Sequence, residues 1–233
     1  MIVAIQQPEH IPWLGFFSKM VQCDLFVYLD NVQFKKRYFE NRNKIRGRDN
    51  ALWLTVPVGS KGLYAQKLCD VKIDNSQAWK KKYTGRLEYS YGQLPFWSEL
   101  KKIIYPCLDK SISKLVDLNL SLIDSIRDYL GIDTPTVQSS KMPCKDLKGS
   151  DLILEICSQT SAKVYISGPN GTNYLKSEKF QKNGIEIVYH NFEHPEYPQM
   201  GEDFISHLSV FDLIANCGKK SLDIINACHK LDT

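Results

Sequence analysis

Proton transfer is the first chemistry that the residue types offer. The segment His190-Asn191-Phe192-Glu193-His194-Pro195-Glu196-Tyr197-Pro198-Gln199 holds two histidines and two glutamates. A carboxylate beside an imidazole orients it and raises its basicity, so His194 with Glu193 or Glu196 reads as a general acid–base group. Histidines at this spacing on a helix would suit a metal, but Pro195 and Pro198 are incompatible with a helix there, and no metal site is expected. A histidine held for structural reasons is the competing explanation of His194. His10 is a second candidate, because an imidazole titrates near neutral pH and can contact phosphate; a histidine in such a loop can equally cap a turn or face water. Asp30, which follows an apolar run directly, is the third catalytic candidate.

Binding groups cluster near these. Gln7 precedes a helix start, where free backbone N–H groups favour an anion such as phosphate. Asn31, Gln33, Lys36, Asn41, Arg42 and Asn43 offer amides, an ammonium and a guanidinium, which recognise sugar hydroxyls, carboxylates and phosphates by directional hydrogen bonds. A solvated charged loop explains Lys35, Lys36 and Arg37 just as well, but explains the amide-rich Asn41-Arg42-Asn43 less well. Ser167, Gly168 and Asn173 lie in Ser167-Gly168-Pro169-Asn170-Gly171-Thr172-Asn173-Tyr174, where glycines let backbone approach a ligand; an ordinary loop would look the same. This segment matches neither a Walker loop nor G-x-G-x-x-G. Tyr197 and Gln199 complete the set. No Ser-His-Asp order and no G-x-S-x-G elbow occur.

The elements that must position these groups alternate. Ile2–Ile5 reads as a buried strand, Trp13–Val21 as a helix, and Asp24–Leu29 as a second strand. This βαβ order implies parallel strands and a right-handed crossover. Leu52–Val58 reads as a third strand and Val71–Ile73 as a short one. Apolar residues three and four apart predict helices over Ser76–Tyr89, Phe96–Cys107 and Ser111–Leu130, the last ended by Gly131. Thr136–Gln138, Val164–Ile166 and Ile185–Tyr189 read as further strands. Ser150–Gln159 reads as a helix capped by Ser150, and Val210–Asn216 and Ser221–Lys230 as closing helices. The expectation is a single α/β domain over 1–233, with a mainly helical insertion at about 76–130. Its mainly parallel sheet would carry helices on both faces in a Rossmann-like, nucleotidyltransferase-like layout. In such sheets ligands bind beyond the carboxyl ends of the strands, which is where the polar loops fall.

Composition narrows the class. The 233 residues are 43% apolar and 24% charged, ordinary for a globular protein. A net charge of +4 suits an anionic small substrate as well as it suits nucleic acid, and decides neither; no nucleic-acid partner is expected, because the one basic run has a simpler explanation. Lys80-Lys81-Lys82 lies between Trp79 and Tyr83, as on the polar face of an amphipathic helix. Seven cysteines without a C-x-x-C imply reduced thiols. No long apolar run suggests a membrane span, and no signal peptide is recognisable, so a cytoplasmic location is expected.

Several of these segments resemble one family. Gln7-Pro8, Pro12-Trp13-Leu14-Gly15-Phe16-Phe17, Phe26-Val27-Tyr28-Leu29-Asp30-Asn31-Val32-Gln33-Phe34 and Asn41-Arg42-Asn43 are similar to the WbqC-like family. So are Trp53–Val58, Tyr165-Ile166-Ser167-Gly168, Tyr197-Pro198-Gln199 and Leu208-Ser209-Val210-Phe211-Asp212-Leu213. His10 is a departure, since the resemblance implies an aromatic there. The resemblance implies a transferase acting on a nucleotide-linked amino sugar, by N-acylation such as glycyl transfer, in O-antigen or related surface-polysaccharide biosynthesis. The strand, histidine loop, helix and strand at the start also resemble nucleotidyltransferase folds of the HIGH-motif type, without the glycine-flanked histidine pair. That layout implies an alternative, activation of a small carboxylic acid with ATP and magnesium. The first reading requires no cofactor. A non-catalytic sugar-binding or scaffold protein is the third reading, and a homodimer is compatible with all three.

Overall fold

The computed structural model describes residues 1–59, 62–63, 65–76, 78–144 and 146–232, with backbone alone for 229–232. Its central sheet runs β5 (Thr136–Gln138), β2 (Leu25–Tyr28), β1 (Ile2–Gln6), β6 (Val164–Ser167), β7 (Glu186–Phe192) and β8 (His229–Asp232). The first five are mutually parallel, and β8 is antiparallel to β7. The register sets Ala4 beside Phe26 and Ile166, so buried apolar side chains line up across the central strands.

Side-chain alternation along β1 divides the core in two. Ala4, with Phe26 and Ile166, faces α1 (Leu14–Val21), α3 (Trp97–Asp109), α4 (Leu115–Leu130) and α7 (Val210–Cys217). Val3 and Ile5 face α5 (Gly149–Gln159) and, through Phe180, α6 (Ser177–Lys182). Both strand faces are therefore apolar, as a doubly covered parallel sheet requires. The connection β1–α1–β2 runs one way across the sheet on one face. The connections β5–α5–β6 and β6–α6–β7 run the other way on the opposite face. Right-handed crossovers produce this arrangement only if the strand order reverses between β1 and β6.

The helical segment adds α2 (Trp79–Tyr91) to α3 and α4, and these helices share the larger core with α1. Gly131 ends α4 at φ 77°, the left-handed conformation that glycine adopts without penalty.

Several elements differ from the sequence reading. The strand expected at Leu52–Val58 is β4 (Ala51–Thr55), and it pairs only with β3 (Arg42–Arg46), in a separate antiparallel hairpin. The Asn41–Asn43 stretch is therefore largely strand rather than loop. Val71–Ile73 makes only single bridges, Lys72 to Lys114 and Ile73 to Val58. Ser150 does not cap α5, because Lys148 holds that position and the Ser150 Oγ accepts from the Lys176 N–H at 2.9 Å. The last helix, α8, stops at Asn226, and its expected final turn is β8, an edge strand too polar and too short to read as one.

Candidate active site

A cavity of about 590 Å³ opens at the carboxyl edge of the sheet, where the order reverses. Gln6 and Gln7 leave β1 into it, Gly168–Gly171 follow β6, and His190 comes from the end of β7. Gly15 and Lys19 of α1 form one wall, and Gly149, Leu152 and Ile153 at the start of α5 form another. Lys35, Tyr38 and Phe39 cover it from the segment between β2 and β3. Trp13 and His207 close the remaining side. Gly171 must lack a side chain, because a Cβ would lie 2.0 Å from the Ser167 Oγ.

Supporting contacts fix the loop that carries Gln7 to Trp13. The Asn43 Nδ2 donates to the carbonyls of His10 and Ile11, at 3.2 and 3.0 Å. The Asn119 Nδ2 donates to the Pro8 carbonyl at 2.9 Å and to that of Glu40 at 2.7 Å. The Val210 N–H reaches the Pro12 carbonyl at 2.9 Å, and the Ser209 N–H reaches that of Lys44 at 2.8 Å. Ile11 is held at φ 40° and His207 at φ 59°, conformations that side chains with a Cβ seldom adopt. His207 lines the cavity, and Ile11 is packed in the core within the loop that carries Glu9 and Trp13 to it; surrounding contacts can sustain such strain.

Electrostatics single out a carboxylate and an ammonium. Burial pushes Glu9 up to about 7, opposed by a hydrogen bond from Gln6 and the charge of Lys19. The Gln6 Nε2 donates to the Glu9 Oε1 at 3.1 Å. Burial pushes Lys19 down to about 8, opposed chiefly by Glu9. Lys19 is 4% exposed and makes no side-chain hydrogen bond or ion pair among the described residues. Glu40, fully buried nearby, is also pushed up to about 7 by burial.

The candidates read from sequence divide clearly. Gln7 and Gly168 line the cavity. Ser167 is buried beneath it, with its hydroxyl on the Gly168 carbonyl at 3.0 Å. Asn173 is exposed outside the wall, and Asn170 occupies the lining position. Lys36 is exposed, and its neighbour Lys35 lines the cavity. Gln33 bridges to Lys67, and the Asn31 Oδ1 accepts from the Ser139 hydroxyl at 2.8 Å. Asn41 donates to the Val56 carbonyl at 2.9 Å, and Asn43 is spent on the loop already described. The Arg42 guanidinium stacks 3.9 Å over the Trp53 ring. Asn31, Gln33, Asn41, Arg42 and Asn43 thus lie outside the wall.

The catalytic candidates are placed differently from expectation. His10 faces neither solvent nor the cavity: its Nδ1 meets the Asn119 Oδ1 and its Nε2 the Tyr83 hydroxyl, both at 2.9 Å. Burial pushes it down to about 4, so the ring is neutral at physiological pH. Asp30 is fully buried and accepts from the Ser140 N–H, the Ser140 hydroxyl and the Gln138 amide at 2.8, 2.7 and 2.9 Å, which fastens β2 to the end of β5. His194 is oriented by backbone: its Nε2 accepts the His207 N–H at 3.0 Å, which assigns the proton to Nδ1, 2.9 Å from the Pro195 carbonyl. It packs against His207 at a tilt of 35°, with centroids 4.9 Å apart, and so stands behind the wall. Tyr197 and Gln199 both donate to the buried Asp212 Oδ2, at 3.0 and 2.8 Å. The Gln199 Oε1 also receives the Arg46 guanidinium at 3.2 Å.

Glu9, Lys19, His207 and the aromatic wall went unread in the sequence. Lys19 had a signal: it is the one charge in Leu14-Gly15-Phe16-Phe17-Ser18-Lys19-Met20, a run that the helix buries throughout.

No helix among the described residues is long and apolar enough to cross a membrane. No solved structure matches the chain. A protein of Mycobacterium tuberculosis (strain ATCC 25618 / H37Rv), named Uncharacterized protein Rv1507c, is 31% identical over 230 residues, which cover 98% of this chain and 99% of that one. The model of the WbqC-like protein family matches residues 7–224. With the family match reaching from the loop after β1 to α8, the chain is a member of the WbqC-like family.

Proposed function

We propose that the protein is a transferase that N-acylates a nucleotide-linked amino sugar, with an aminoacyl group such as glycyl as one donor, during surface-polysaccharide biosynthesis. The observation that carries this reading is the cavity at the β1–β6 reversal. It brings together the amides of Gln6, Gln7 and Asn170, the ammonium groups of Lys19 and Lys35, and the Glu9 carboxylate, whose affinity for a proton lies near neutrality. An amine cannot attack an acyl carbon while it is protonated. In this reading Glu9 accepts the amine proton, because it faces the cavity and releases or takes a proton near pH 7. His194 and His10 serve instead to hold His207 and the Gln7–Trp13 loop. The amine nitrogen bonds to the acyl carbon, the donor's leaving group departs with the electron pair, and Glu9 carries the proton away. Gln7 and the backbone of Gly168–Gly171 would hold sugar or acyl oxygens, and Trp13, Tyr38 and Phe39 offer apolar faces to a ring.

A second reading uses the same cavity to activate a small carboxylic acid with ATP and magnesium. The strand order favours it, because sheets that reverse in this way bind nucleotides at the reversal. Thermal shifts with UDP, dTDP and ATP separate the two. A rise in melting temperature with UDP or dTDP alone supports the transferase. A rise with ATP and magnesium alone, with pyrophosphate released on turnover, supports the second. No response to any of them leaves a non-catalytic role.

A further inference from the structure

A buried ammonium with no counter-charge in contact is costly, and proteins normally pair it, neutralise it or hold it for a ligand. Lys19 is such a group. Glu9 lies close enough to raise its proton affinity but forms no ion pair with it within 4.0 Å. Helix geometry states where the ammonium goes. Each Cα–Cβ bond tilts towards the helix N-terminus, so a side chain at position 19 lies over position 15, one turn earlier. Position 15 is glycine, and a Cβ there would come 2.5 Å from the Trp13 ring. The Trp13 ring lies directly over Gly15, and Trp13, Gly15 and Lys19 all line the cavity, so the ammonium and the first turn of α1 border the same space. This is also the start of α1, where Trp13 at the N-cap provides no side-chain hydrogen bond. Uncapped N–H groups at a helix start favour an anion.

We propose that Lys19 and the first turn of α1 form an anion subsite that takes a phosphoryl group, the diphosphate of a nucleoside diphosphate. The choice of a nucleoside diphosphate rests on the transferase reading above, and the phosphoryl subsite itself does not. This places the phosphates on α1 rather than against Lys36 or Arg42. Two independent observations converge here: the uncapped helix start and the unpaired, buried ammonium over it. The subsite also explains why an otherwise apolar helix face retains a lysine.

The test is calorimetric titration of the full chain at pH 7 with pyrophosphate, UDP and uridine, for the wild type, Lys19→Met and Lys19→Gln. The wild type should bind pyrophosphate and UDP. Both variants should bind these two roughly tenfold or more weakly, and uridine unchanged. The melting temperature of ligand-free Lys19→Met should equal or exceed that of the wild type, since a costly buried charge has gone; a purely structural lysine would give a fall. If Lys19→Met does not fold, Lys19→Gln carries the comparison, and equal pyrophosphate binding by a folded variant overturns the subsite. Absence of pyrophosphate and UDP binding to the wild type at millimolar concentration overturns it too. Lysine-dependent pyrophosphate binding without any acyl transfer to amino sugars would sink the transferase reading and leave the subsite standing.

Discussion

Removing the Tyr83 hydroxyl would leave the His10 Nε2 without its partner inside the core. Tyr83→Phe should therefore cost about 1–3 kcal/mol in chemical denaturation, while barely affecting ligand binding. A large loss of binding with unchanged stability would return His10 to the reaction. His10 also has a pH signature. Its folded affinity for protons lies at about 4, against 6.5 in the unfolded chain. Between those values the unfolded state binds more protons, so this residue's contribution to stability is lost as pH falls from 6.5 towards 4. Glu40 works the other way. Burial raises it from 4.5 to about 7, and no side chain donates to either oxygen, so its penalty appears as pH rises through that window. Glu40→Gln should raise stability at pH 8 by on the order of 2–3 kcal/mol, with the difference fading towards pH 4.5. Melting temperatures of wild type and variant across that range provide the check. A constant difference would mean that the carboxyl does not titrate as described.

At the scale of elements, two glycines make different claims. Gly131 sits at φ 77°, and a methyl added there would find nothing within 4 Å, so Gly131→Ala should cost only the strain of a left-handed residue, about 1 kcal/mol. Gly15→Ala drives a methyl into the Trp13 ring, which lines the cavity. It should weaken UDP or pyrophosphate binding more than it lowers the melting temperature, and the opposite order would place Gly15 in packing alone. Elements of the doubly covered sheet were legible because both faces of each strand are apolar: Ile2–Ile5 and Asp24–Leu29 are short continuous runs, and β1 and β2 coincide with them to within a residue. β3 was not legible. Its residues Arg42, Asn43, Lys44, Ile45 and Arg46 include one apolar side chain, and its strand form depends on β4 and on Asn43 reaching the His10–Ile11 turn. A pattern-based reading has no access to such distant partners. Motif residues were legible as a set but not by role, since a directional amide looks alike whether it meets a sugar or a carbonyl. Asn43, Tyr197 and Gln199 all meet protein.

For the whole molecule, alternation of strand and helix was visible in the sequence, but the order of the strands was not. β2 and β5 are neighbours across an excursion that includes the β3–β4 hairpin and three helices, and only the folded register discloses it. The convergence of Gln7, Gly168, Lys19, Glu9 and His207 depends on that order. It carries a thermodynamic expectation. In the transferase reading, a nucleotide at about one hundred times its dissociation constant should stabilise the chain by about 2.7 kcal/mol, and Glu9→Gln should preserve that shift while slowing acyl transfer by about 10²–10⁴-fold. Loss of the shift in Glu9→Gln would make Glu9 a binding group instead. The dimensions of the cavity bear on when such an enzyme could act. At about 590 Å³, between the starts of α1 and α5 and beneath Lys35, Tyr38 and Phe39, it has the volume to take one small ligand. On the transferase reading proposed above, the amino sugar would arrive as a single nucleotide-linked unit and be acylated before it is joined to others.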